Sequence, residues 1–203
     1  MKKSLPWIAL SALCLAAAMP ANAALSWVGN GFAVLNVNGA GNTWYDLDQV
    51  TGNADFDSDN SSPNAYSLTI SISQGQSIKL GGQNQTYDQG TGTTSALGYR
   101  VTTDFVSGSW NDVNLPWSQT AGNNDQWEET GTNMAEIGSS LAPGTYYLEI
   151  YQHAHRPAEG TSAYHNEAEQ SSNNWEARIT VIPEASTALL GLVGLLPFCR
   201  RRR

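Results

Sequence analysis

Apolar and polar side chains alternate along several short runs of this chain, with a period of two rather than the 3.6 of a helix. Tyr66, Leu68, Ile70 and Ile72 are interleaved with Ser67, Thr69, Ser71 and Ser73. That spacing puts the apolar side chains on one side of an extended backbone, as in a half-buried antiparallel strand. Ile78 and Leu80 resume the pattern after Gln74-Gly75, which predicts a hairpin or bend there. A second run, Thr145 to His153, follows Pro143-Gly144, a pair suited to a type II turn, and should send Tyr146, Leu148 and Ile150 into a core. Trp175 to Val181 is the third, with Ala177, Ile179 and Val181 on one side. Shorter strands are expected at Leu25 to Val28 and Phe32 to Val37, joined through Gly29-Asn30-Gly31, and at Trp44 to Leu47 and Tyr99 to Val106. The polar stretches 52–64, 81–95, 111–132 and 157–174 read as loops, where binding would be expected.

Seven or eight strands with almost no helical period predict an all-β domain over residues 24–181, a single antiparallel β-sandwich of jelly-roll or immunoglobulin-like type. The two ends of the chain follow different rules. Lys2 and Lys3, an apolar run from Leu5 to Met19 and then Ala21-Asn22-Ala23 make residues 1–23 a secretory signal peptide with a helical core. Cleavage by signal peptidase is expected after Ala23, leaving Ala24 first. At the other end, Ala185 to Phe198 would form a hydrophobic helix about 21 Å long at ~1.5 Å per residue. A bilayer core is about 30 Å thick, so the segment suits a transient tether better than a permanent span. Arg200, Arg201, Arg202 and Arg203 would stay on the cytoplasmic side.

Residues 182–203 place Pro183-Glu184, Ala185, Ser186-Thr187, the apolar run and the four arginines in order. This resembles the PEP-CTERM sorting signal, with Ala185 standing where that pattern has its second proline. The resemblance implies a Gram-negative bacterial source, transient tethering in the inner membrane, processing by an exosortase-type protease, and delivery to the cell surface or extracellular matrix. It does not extend to residues 24–181.

Charge narrows the partners of the domain. The whole chain carries a formal net charge of -8. Between residues 24 and 181 the basic residues are Lys79, Arg100, Arg156 and Arg178, whereas every acid but Glu184 lies there. Nucleic acid and anionic lipid need basic surface and are poor partners for such a domain, so no nucleic-acid binding is expected. Cys14 and Cys199 both fall in the end segments, so the domain has no disulfide or thiolate chemistry.

Three groups of residues could carry chemistry. Asp55, Asp57 and Asp59 alternate, a spacing from which carboxylates converge on Ca²⁺ if the backbone wraps the ion, although Asn60 and Tyr66 at the sixth and twelfth positions exclude an EF-hand. The competing interpretation is a solvated acidic turn. His153 and His155 should share a strand face with Glu149 and Tyr151, and His165 could join them in a three-histidine metal site; otherwise they are exposed strand-end histidines. Trp110, Trp117 and Trp127 sit among Asn, Asp and Gln, as aromatic rings that stack on sugars do; the competing role is to plug the core.

Enzymatic motifs are weak by comparison. Gly-x-Ser-x-Gly, His-Glu-x-x-His and a phosphate-binding glycine loop do not occur. A glycosidase-like carboxylate pair would have to come from Glu128, Glu129, Glu136 or Glu149. The resulting expectation is an exported, non-enzymatic structural or adhesive protein, with a module binding extracellular polysaccharide as the first alternative and a small secreted hydrolase as the second.

Overall fold

The computed structural model describes residues 25, 28–47, 54–56, 68–87, 92–104, 108–158, 160–165 and 174–184. The signal peptide, including Ala21, Ala23 and Ala24, and the sorting tail from Ala185 onward, including Ser186, Thr187 and the four arginines, lie outside them. The described residues contain strands and no helix. In chain order the strands are β1 (Val28–Val37), β2 (Asn42–Asp46), β3 (Ala54–Asp55), β4 (Thr69–Ser73), β5 (Ile78–Thr86), β6 (Thr94–Thr102) and β7 (Asn111–Leu115). They continue with β8 (Trp117–Ala121), β9 (Asn124–Glu129), β10 (Ala135–Glu136), β11 (Gly144–Arg156), β12 (Thr161–His165) and β13 (Trp175–Ile182).

Two sheets face each other as a sandwich. The first has the order β3-β2-β1-β5-β9-β8, with β10 also on β5; the second has the order β4-β13-β11-β6-β7, with β12 also on β11. Pairing is antiparallel except for β2 with β3 and β13 with β4. The expected alternation is what fills the gap between the sheets. Ala33, Leu35, Ile78 and Leu80 come from one side, and Ile70, Ile72, Leu97, Leu148, Ile150, Ala177, Ile179 and Val181 from the other. Phe56, beside the acidic run, is fully buried and meets Tyr45 edge-on at 6.0 Å, so this aromatic anchors the segment to the core.

Several boundaries differ from the pattern-based expectation. Gly29-Asn30-Gly31 does not join two strands; it is an irregularity within the single strand β1, where the register against β5 shifts between Gly29 and Phe32. Asn30 adopts a φ of 45°, which asparagine tolerates better than most residues. Gln74-Gly75 is a bend and not a hairpin turn, because β4 and β5 belong to different sheets. Stretch 81–95 is largely the end of β5 and the start of β6, and Asn111 to Thr132 holds β7, β8 and β9. Amide and hydroxyl side chains on the outer face had hidden strands whose inward positions are few, such as Val113, Leu115 and Trp127. Stretch 157–174 likewise contains β12.

One buried amide ties the sheets together. The Gln152 side chain on β11 points inward, and its Nε2 donates to the carbonyls of Phe32 at 3.2 Å and Gln83 at 2.8 Å on the opposite sheet. It reaches them because β1 is irregular there and Gly31 has no side chain. A Cβ on Gly31 would lie 2.3 Å from Gln152 Oε1. Burial of an amide without such partners is unfavourable, so the bulge and Gln152 require each other.

Candidate functional site: an aromatic face on the second sheet

With Leu148, Ile150, Gln152 and Ala154 turned inward, β11 presents Glu149, Tyr151, His153 and His155 on its outer face. This is the shared face that the alternation predicts. The register supplies the neighbours: Gly98 of β6 lies opposite Tyr151, and Tyr164 of β12 lies opposite His153. The Tyr151 ring covers Gly98, since a Cβ there would come within 2.3 Å of the ring. Tyr151, His153 and Tyr164 then have centroids 5.4 to 6.3 Å apart and ring planes inclined by 26 to 39°. Trp110, just ahead of β7, meets Tyr151 edge-on at 4.8 Å and 80°, forming a wall beside this floor. Tyr164 is 58% exposed and Trp110 37%, so apolar ring surface faces solvent.

Charged groups fix the wall and rim. The buried Glu149 carboxylate accepts two hydrogen bonds from Arg100, from Nε and Nη2, each at 2.7 Å, a bidentate pair that offsets its desolvation. The guanidinium in turn lies 4.8 Å from the Trp110 ring centroid, a cation–π contact that holds the indole upright. Asp112 of β7 stands at the rim with its side chain 56% exposed and Oδ1 3.2 Å from His153 Nε2. Burial, then the negative Asp112, then Tyr164 push the Tyr151 phenol above its ordinary pKa, so the ring remains a neutral surface well past physiological pH.

The other candidate residues are dispersed. Trp127 does not serve as a loop platform. It is 7% exposed on β9, packs in the core, and its Nε1 donates to Thr86 Oγ1 at 2.9 Å. Trp117 is 56% exposed on the edge strand β8 of the other sheet, where its Nε1 donates to Asp125 at 3.3 Å. The three histidines do not converge. His165 pairs with Gln152 in register and so lies on the inner side of the sheet, against Trp175 at 4.8 Å, whereas His153 and His155 are on the outer side. His155 Nδ1 is 3.0 Å from the Thr161 carbonyl. Among the described residues no three His, Cys, Asp or Glu side chains are grouped as metal ligands. Asp55 belongs to β3, and Asp57 and Asp59 lie outside the described residues.

The four glutamates considered for hydrolysis each hold local structure. Glu129 accepts from the Gly131 and Asn133 backbones at 2.8 and 3.2 Å, and Glu136 from Gly138 and Ser139 at 2.9 Å. Glu128 accepts from Thr130 on the first sheet, across the sandwich from Glu149. Sequence reasoning had found Trp110, Tyr151 and His153 but not Tyr164, which lies in a supposed loop, nor Gly98, whose role is visible only in the register. No known family model matches this chain, and no curated protein is significantly similar to it.

Proposed function

We propose that this chain is an exported, non-enzymatic adhesive protein, delivered by its PEP-CTERM-like tail to the cell surface or extracellular matrix, where it binds polysaccharide. The observation that carries the reading is the outer aromatic face of Trp110, Tyr151, His153 and Tyr164. Sugar rings present apolar C–H faces and hydroxyl edges. The floor of rings covers the former, while Asp112 and His153 accept or donate at the latter. Strong acidity of the domain fits a polymer without negative charge.

Trp110 reports on the interaction directly. Titration with soluble polysaccharides should change intrinsic tryptophan fluorescence, and Trp110→Ala or Tyr164→Ala should weaken binding roughly tenfold, about 1.4 kcal/mol. Gly98→Val, which displaces the Tyr151 ring, should do the same with Trp110 intact. A flat response across neutral, cationic and anionic polymers would sink the reading. Mass spectrometry of the exported protein tests delivery: loss of everything beyond the Pro183-Glu184 region supports it, and a retained Arg203 refutes it.

A further inference from the structure

We infer that the aromatic face is selective for polysaccharides bearing free amino groups, a conclusion that rests on the proposed sugar-binding role of that face. The argument is a charge balance across the face. Arg100 is matched by Glu149 through two hydrogen bonds of 2.7 Å, and its cation is further occupied by Trp110. Asp112 has the His153 ring as its polar neighbour at 3.2 Å, and no lysine or arginine pairs with it among the described residues. What the rings present at their edge is therefore an exposed carboxylate whose charge partner among the described residues is the His153 imidazole, not a lysine or arginine.

Geometry gives that carboxylate a role. Asp112 pairs in register with Gly98, the residue under the Tyr151 ring, so it lies beside the centre of the floor. Its charge is felt there, since after burial it contributes to the raised pKa of Tyr151. A sugar stacked on Tyr151 would place a ring substituent next to Asp112. A hydroxyl there could be replaced by water at little cost. An ammonium would gain a charge-assisted hydrogen bond and the attraction of the acidic domain. A uronic acid would meet two like charges.

Three short oligomers of equal length distinguish these cases by isothermal titration of the full chain at pH 7: glucosamine, N-acetylglucosamine and uronic acid. The glucosamine oligomer should bind about fivefold or more tightly than the acetylated one, the size of an exposed charge contact, and the uronic acid oligomer should not bind. Asp112→Asn should erase the preference, so that the glucosamine and acetylated oligomers bind that variant within about twofold of each other. Raising salt from about 50 to about 500 mM should erase it in the unaltered protein, independently of any substitution. Equal affinity for the two amino sugars, or a preference that survives Asp112→Asn, overturns the inference while leaving the aromatic face intact. Absence of binding by every oligomer, or full binding after Tyr164→Ala, removes the sugar-binding reading and this inference with it.

Discussion

Glu136 shows how a single exposed carboxylate can fasten a crossing between sheets. It sits on β10, and its oxygens accept from the Ser77 hydroxyl and from the backbone N–H groups of Ile78, Gly138 and Ser139. Partial burial raises its pKa, but the bonds from Ser77, Ser139, Gly138 and Ile78 outweigh that and hold it below the usual carboxylate range. A depressed pKa in the folded state means that the group stabilises the fold above its unfolded pKa, near 4.3, and that this contribution is lost as pH falls through the lower folded value. Glu136→Gln should therefore cost about 1 kcal/mol at pH 7, a modest figure because the site is exposed. The difference from the unaltered protein should shrink between about pH 5 and pH 3. Urea midpoints across that range check it, and a gap that widens on acidification contradicts the assignment.

At the scale of elements, the sandwich depends on the match between the irregular stretch of β1 and Gln152 of β11. Gln152→Leu keeps side-chain volume but removes the donor that the Phe32 and Gln83 carbonyls share. Loss of those two hydrogen bonds should destabilise the fold by about 1 to 3 kcal/mol. The urea midpoint should drop with an unchanged slope; a loss below about 0.5 kcal/mol would show that water replaces the amide. This bond also marks where sequence reading ends. Strands that belong to a run of three or more inward aliphatics, such as β11, β13 and β4 with Leu68 ahead of it, were legible from alternation alone. Strands β7, β8, β9 and β12 were not, because their inward positions hold one or two apolar residues among many amides. The candidate site was half legible for the same reason. Alternation on β11 grouped Tyr151 with His153, but Tyr164 and Gly98 join them through pairings between strands, which a period along one strand does not encode.

At the scale of the molecule, the aromatic face lies toward the end of the sandwich opposite the one where β13 runs out. The last strand, β13, runs out at Ile182, directly followed by Pro183-Glu184, and Val181 pairs with Gly144 at the start of β11. Tyr151 and His153 lie seven and nine residues further along β11, which at ~3.3 Å per residue is about 23 and 30 Å from that end. In the proposed tethered state the domain would stand on the end marked by Ile182, Ser73 and Gly144, with the aromatic face raised from the bilayer. The rim carboxylate and the rings would then be accessible before the tail is cut. Precursor with an intact tail, reconstituted in vesicles of neutral lipid, should bind soluble polysaccharide within about twofold of the affinity of the exported, tail-free form. Neutral lipid matters because an anionic surface would repel the acidic domain and alter the encounter for reasons unrelated to the face. Binding confined to the released form would mean that the membrane covers the face, contrary to the geometry of β11 and β13, and that cutting the tail switches adhesion on.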